Sequence, residues 1–329
     1  MERWFNGKGN DNDVVMFTKV RLARNLKDTP FKTKMSGDIK KSTVKKLYAT
    51  IKNSDVARDF NLIDLNNVSQ VKALSYAEKQ YISPALVREK GTFLLSEKED
   101  VSVMLCEEDH IRITAFSPGL DTKAAYEKAN KIDNIYINNL KIAFDEKLGF
   151  LTANPMNLGT GMKVSVALHL PALKENGAIE SLTSMVGKLG LSLRKLYGEN
   201  GAFYLLSNQI SLGITEDAAL ENITAVTRQL IKRERDLRAV IKSSERWEDR
   251  LYRSAGTLKM ARKIEFSEFL DLISDVRLGV AIGTFDFSMQ DVGTLIHDGA
   301  DGTVLADNNS EDSPELVAKL RANTVRKAL

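Results

Sequence analysis

Asn157-Leu158-Gly159-Thr160-Gly161-Met162-Lys163-Val164-Ser165-Val166-Ala167-Leu168-His169-Leu170 is the stretch on which the fold turns. Its opening carries two glycines and reads as a loop. From Val164 onward, Val164, Val166, Leu168 and Leu170 alternate with Ser165, Ala167 and His169, the period of a strand with one buried face. A strand thus opens out of a Gly-rich loop. Working outward, alternation predicts strands over Val101 to Leu105 and Ile111 to Phe116, separated by polar Cys106-Glu107-Glu108-Asp109-His110. It also puts Lys19 and Arg21 on one face of a strand. Lys141 to Phe144 and Phe150 to Ala153 flank a hairpin signal, and two more strand candidates surround Tyr197-Gly198-Glu199-Asn200-Gly201. Helical spacing appears at Ala125, Ala129, Ile132 and Tyr136 behind Asp121, and at Ile179, Leu182, Val186 and Leu189 before Gly190. The expected class is α+β, an antiparallel sheet backed by helices.

The polar residues before Val14 read as a flexible lead-in (1–13). After Gly213, Thr215 caps a long helical pattern through Leu220, Ile223, Leu230, Leu237 and Ile241. Residues near Arg246 to Met260, Ser267 to Arg277 and Pro314 to Lys327 are helical by pattern, and Asp301 to Ser313 reads as an acidic loop. A boundary near residue 240 is expected, dividing a unit over 14–240 from a smaller helical one over 241–329.

The 329 residues carry 47 Lys+Arg against 44 Asp+Glu, a net charge of +3, which argues against a strongly basic nucleic-acid binder. Cys106 is the only cysteine, so no intramolecular disulfide can form, and with His110, His169 and His297 it makes no zinc set at ligand spacing. No apolar run approaches the roughly 20 residues of a membrane span, and the first residues lack a signal-peptide core. A cytoplasmic chain with no membrane or direct nucleic-acid partner is expected.

Five cations sit at element edges: Lys19, Arg21, Arg112, Lys163 and Arg194. Converging cations beside Gly-loop amides suit a polyphosphate; solvated surface cations paired with neighbouring carboxylates explain the same spacing, and no Walker pattern is present. Glu107, Glu108 and Asp109 share one turn, and Glu199 occupies a Gly-flanked loop. Carboxylates from two loops could hold a guanidinium and take its proton, could ligate metal, or could merely be solvated. Cys106 reads as structural.

Taken together, Arg21-Leu22-Ala23-Arg24-Asn25-Leu26, Glu107-Glu108-Asp109-His110-Ile111-Arg112, Gly149-Phe150-Leu151-Thr152, Gly159-Thr160-Gly161-Met162, His169-Leu170-Pro171-Ala172-Leu173, Tyr197-Gly198-Glu199 and Ser207-Asn208-Gln209-Ile210 resemble, in order, the phosphagen (guanidino) kinase family and its bacterial protein-arginine kinase branch, the McsB type. The resemblance implies a phosphagen-kinase-type catalytic domain followed by a smaller all-α domain, and ATP-dependent phosphoryl transfer to arginine in proteins. It implies Glu108 and Glu199 as the guanidinium carboxylates. It implies an ATP site over Thr18, Lys19, Val20, Arg21 and Leu22, Gln80, Arg112, Lys163, Val164, Ser165, Val166 and Ala167, and Arg194, Lys195, Leu196, Tyr197 and Gly198. Mg²⁺ would come with the ATP and not be ligated directly by protein. By the same resemblance the partners are arginine-bearing protein substrates, an activator of the McsA type, a CtsR-like repressor and the ClpC-ClpP protease, in a stress response, with the chain a homodimer. The family's separate N-terminal helical domain, found in kinases of small guanidines, has no counterpart here, which favours protein substrates.

The departures are local. Lys19 and Lys163 stand where the family has arginine, Asn154 where it has a reactive cysteine before Pro155, and Gln80 where it has histidine. The segment from Glu199 to Ser207 is shorter by about four residues. The phosphoarginine-reading motif survives only as Arg321-Ala322, with Val317 and Ala318 at its first positions. The alternatives to an active protein-arginine kinase are a non-transferring adaptor that binds nucleotide or phosphoarginine, and a kinase for free arginine.

Overall fold

Ten strands and twelve α-helices make up the described residues, 4–310 and 314–329, of the computed structural model. The strands are β1 (Val15–Arg24), β2 (Phe60–Asp64), β3 (Thr92–Ser96), β4 (Val101–Leu105), β5 (Ile111–Pro118), β6 (Phe144–Asp145), β7 (Gly149–Phe150), β8 (Met162–His169), β9 (Leu191–Lys195) and β10 (Phe203–Asn208). The helices are α1 (Gly37–Lys52), α2 (Gln70–Glu78), α3 (Pro84–Arg88), α4 (Thr122–Asn139), α5 (Pro171–Glu175), α6 (Ile179–Lys188), α7 (Glu216–Lys242), α8 (Glu245–Met260), α9 (Phe266–Ala281), α10 (Met289–Asp298), α11 (Asp301–Asp307) and α12 (Pro314–Ala328).

Eight strands form one antiparallel sheet in the order β2-β3-β4-β5-β1-β8-β10-β9, with β6 and β7 a separate hairpin. The central strand β1 sets Lys19 opposite Ser165 and Arg21 opposite Lys163 on one side, and Arg21 opposite Thr114 and Ala23 opposite Arg112 on the other. Cross-strand partners share a face, so these cations stand together. The alternate positions of the sheet, Val20, Leu22, Ile113, Val164, Val166 and Leu206, point the opposite way and are buried against α4 and α7. Each such side chain stabilises by about 1.5–3 kcal/mol. A one-residue slip would drive the cations into that core, so the apolar face fixes the register.

Asp121 caps α4 by accepting from Ala124 N at 2.9 Å, and Thr215 caps α7 through Ala218 N at 3.2 Å. The cation-bearing face has its own smaller apolar cluster, in which Phe17, Phe116, Ala167 and Leu205 meet Trp4, Tyr81 and Leu86. Farther along, Phe203 joins Phe269, Ile273 and Leu295 of the C-terminal helices. No described helix is long and apolar enough to cross a membrane.

Three expectations are corrected. The lead-in is anchored from Trp4 on: Trp4 is 7% exposed and stacks on Phe116 at 4.8 Å, while Asp11 and Asp13 bind Arg235. These partners lie far along the chain, so local polarity hides the anchoring; residues 1–3 lie outside the described residues. Second, Asp301–Asp307 is helical, its first turn capped by Glu78 from another element, though residues 311–313 of the expected loop fall outside the described set. Third, α1, α2 and α3 fill the stretch between β1 and β3 for which no element was expected. The long helix α7 runs to Lys242, and the turn Ser243-Ser244 separates it from α8.

Candidate active site

Lys19, Arg21, Arg112, Lys163 and Arg194 line one cavity of about 340 Å³, together with Gln80, Ser83, Thr114 and Ser165. Four strands thus bring together residues that span positions 19 to 194. Lys19 is boxed in, and its Nζ donates to Gln80 Oε1 at 2.7 Å. Burial, then the charges of Arg21, Arg194, Arg112 and Lys163, push the Lys19 ammonium down to about 7. Burial followed by Arg112 lowers Arg21 to about 10, and burial with Arg21 lowers Lys163. The Arg21 Nε is buried and has no hydrogen-bond partner. A wall of cations with an orphaned donor calls for an anion rich in oxygen, and a polyphosphate fits it.

The inherited nucleotide stretches divide by strand parity. Thr18, Val20, Leu22, Val164 and Val166 turn their side chains to the helix-covered face, Thr18 donating to Gly119 O at 2.7 Å. Ala167 lies on the cavity's side of the sheet but within the apolar cluster. On β9, Arg194 faces the cavity and Lys195 the reverse. Leu196 packs between two apolar clusters, Tyr197 sits edge-on to Phe203 at 5.6 Å, and Gly198 turns the chain at φ +72°.

The acidic turn is held at several points. Asn25, just past β1, donates to Asp109 Oδ1 at 2.7 Å and to Leu151 O at 3.0 Å, and accepts from His110 N at 2.9 Å. Ala153 N donates to the same Asp109 oxygen at 2.7 Å. Leu26 N donates to His110 Nδ1, so Nε2 carries the proton it gives to Pro30 O, and burial lowers the ring's pKa. Glu107 accepts from Ser83 Oγ at 2.9 Å and from Arg112. Burial alone would raise its carboxyl; Arg112 and the hydrogen bonds hold it below the usual range. The Cys106 thiol is buried and pushed up to about 11, too high for a nucleophile at neutral pH.

That network leaves Glu108 partly exposed, 3.9 Å from Arg112 and 3.5 Å from Asn154 Nδ2. Asn154 caps the turn 155–157 by accepting from Met156 N at 3.0 Å, so the position expected to carry a reactive cysteine shapes the loop instead. Glu199 is not brought to the cavity. It stands 83% exposed and pairs with Lys195, an interaction worth little in solvent. Arg321, inherited as a phosphoarginine reader, is 1% exposed and spends its guanidinium on Gly299 O at 2.7 Å, Ile264 O at 2.8 Å and Asp301; Ala322 is buried. Among the described residues no three His, Cys, Asp or Glu come together as a metal site.

Sequence reasoning missed Asn25, Ser83 and the pairing of Glu107 with Arg112. Thr114 was open to it, two residues beyond Arg112 on the same strand face. Asn25 acts through residues distant in sequence and leaves no local pattern; Ser83, followed by Pro84, caps α3 by accepting from Leu86 N at 3.1 Å, a local helix-start signal that does not reveal its bond to Glu107.

Comparison with known proteins adds independent findings. Residues 41–237 match the ATP:guanido phosphotransferase C-terminal catalytic domain, and residues 244–329 match the protein-arginine kinase McsB C-terminal domain. A protein-arginine kinase of Clostridium acetobutylicum is 38% identical with both chains fully covered. One from Brevibacillus brevis is 40% identical over 85% of this chain and 81% of its own. Among solved structures, a lombricine kinase superposes at TM-score 0.61 with 20% identity, covering 71% of this chain and 69% of that one. The duplicated taurocyamine kinase of Schistosoma mansoni gives 0.63 with 23% identity over 75% of this chain and 37% of its own. The structural likenesses concern the fold.

Proposed function

The chain belongs to the ATP:guanido phosphotransferase family, in its protein-arginine kinase branch, and from that premise we propose that it moves the γ-phosphate of ATP onto the guanidino group of arginine in protein substrates. The observation that carries this reading is the cavity where Lys19, Arg21, Arg112, Lys163 and Arg194 converge around an unpartnered Arg21 Nε. There the cations neutralise the triphosphate and the charge that grows on the leaving oxygen. Mg²⁺, carried by the phosphates, adds its charge to theirs. Glu108, on the rim beside Arg112, binds the incoming guanidinium and takes the proton released as the guanidino nitrogen bonds to phosphorus and the bond to ADP breaks. Arginine stays protonated in water, so a carboxylate held against it is a requirement of the chemistry. Glu199 supplies the second carboxylate once its loop folds over a bound substrate and Lys195 releases it.

On this reading, residues 14–240 are the catalytic unit and 241–329 the helical one. The protein acts in the cytoplasm as a homodimer, with the McsA-type activator, CtsR-like repressor and ClpC-ClpP protease as partners in marking proteins under stress. Transfer and nucleotide binding, measured together, test the residue roles. Glu108→Gln is expected to abolish transfer while ATP still binds, and Glu199→Gln to reduce it at least 100-fold, the scale of lost acid-base catalysis. Full activity in both variants would refute the assignment.

A further inference from the structure

Three consecutive residues at the end of α2 touch two parts of the molecule. Glu78 accepts from Gly302 N at 2.9 Å, Thr303 N at 2.7 Å and Thr303 Oγ1 at 2.9 Å, and so caps α11. Lys79, 5% exposed, reaches Asp298 at the end of α10 at 3.6 Å. Gln80 turns the other way, into the cation-lined cavity, where its Oε1 accepts from Lys19. The reversal is made in the backbone: Gln80 has φ +62°, and its N–H closes on Ala77 O at 2.9 Å. A residue other than glycine holds that conformation where its surroundings impose it. Arg321 of α12 grips Gly299 O and Asp301, fixing the junction between α10 and α11 that Glu78 caps. A hydrogen-bonded run therefore leads from α12 to the phosphate cavity.

We propose that Glu78 and Lys79 are positioning residues for the phosphate site: by clamping the end of α2 to the C-terminal helices they set Gln80 against Lys19, and so couple the packing of those helices to ATP binding. The proposal rests on the reading of this cavity as the ATP phosphate site. Lys19 is faced by Arg21 on β1, Arg112 on β5, Lys163 on β8 and Arg194 on β9, all cations, and Gln80 supplies its acceptor. When the clamp loosens, Lys19 loses that acceptor and keeps the four like charges, so it gives up its proton more readily and holds ATP less tightly.

Calorimetric titration of the full chain with Mg·ATP across pH 6 to 9 tests this. Glu78→Ala and Gln80→Ala are each expected to weaken ATP binding roughly tenfold, the scale of one hydrogen bond to a charged group, and to move the pH at which affinity falls to a lower value. The double variant should be no weaker than Gln80→Ala, since both act through one contact. Glu78→Gln, which keeps an acceptor for α11, should restore most of the affinity. Ile51→Val, in the main core beneath α1 and outside the clamp, should lower the melting temperature without moving the pH midpoint. Wild-type affinity and pH profile in Glu78→Ala, or additive losses in the double variant, would overturn the proposal. If Glu78→Ala does not fold, Lys79→Met with Gln80→Ala makes the same cycle. A wild-type chain that binds no ATP removes the reading of the cavity and this proposal with it; normal wild-type binding with unaltered variants removes the proposal alone.

Discussion

At Lys19 two demands oppose one another. Its place among four cations, half-buried in the cavity wall, disfavours the charged form, so its proton is held only to about pH 7, far below the ordinary lysine value. A bound triphosphate needs the charge. The sign follows from linkage: between pH 7 and the unfolded lysine value of about 10.4, the unfolded chain binds more protons, so ligand-free stability gains from this residue as pH rises through that window. ATP affinity changes oppositely, falling as pH rises through 7. Binding at pH 8 should therefore take up close to one proton, seen as a binding enthalpy that varies with the ionisation enthalpy of the buffer, and Lys19→Met should abolish that uptake. Equal enthalpies in all buffers would contradict the assignment. Asn154 makes a second test at this scale. Because it caps its own loop and only grazes Glu108, Asn154→Ala should cost about 1 kcal/mol of stability, as other lost caps do, and reduce transfer without ending it.

The loop ahead of β8 depends on one buried pair. Arg24 turns to the helix-covered face, where it bonds Asp133 of α4 at 2.7 Å and gives Nη1 to Thr160 O at 2.9 Å, with its guanidinium 3.5 Å over the Phe150 ring. Burial keeps the Asp133 carboxyl raised even with Arg24 against it. Gly161, at φ +61°, passes so close that a Cβ would lie 2.5 Å from Arg24 Nη1, and one at Gly159 would lie 2.2 Å from Ser211 O. Arg24→Met should therefore destabilise by about 3–5 kcal/mol, since it strands a buried carboxylate, and the added change Asp133→Leu should recover most of that loss; chemical denaturation measures both. Gly159→Ala should disorder the approach to β8 and weaken nucleotide binding. Strands and amphipathic helices of this kind were legible because period 2 and period 3.6 are written into the chain itself. The helices α1 to α3 went unread for different reasons: α1 does carry Val44, Leu47, Tyr48 and Ile51 at helical spacing behind the Ser36 cap, a stripe that was open to reading and passed over, whereas α3 spans only Pro84–Arg88, a single short turn.

Across the whole molecule, the cation half of the site could be read from sequence and the carboxylate half only in part. Lys19, Arg21, Arg112, Lys163 and Arg194 are placed by strand parity and register, which alternation encodes. Glu199 sits on a short loop whose direction no periodicity sets, and in this structure it turns to Lys195. The C-terminal helices were legible as helices, yet their docking through Glu78 and Lys79 depends on side chains meeting partners more than 200 positions away in sequence. The central claim concerns chemistry and has a direct test. The full chain is incubated with Mg·ATP, an arginine-rich unfolded protein and free arginine, and the phosphorus–nitrogen products are resolved by ³¹P NMR at neutral or mildly alkaline pH. Phosphoarginine on the protein, well above that on free arginine and lost in Glu108→Gln, is the predicted result. ATP bound in the cavity with no phosphorus–nitrogen signal on either acceptor would contradict the account.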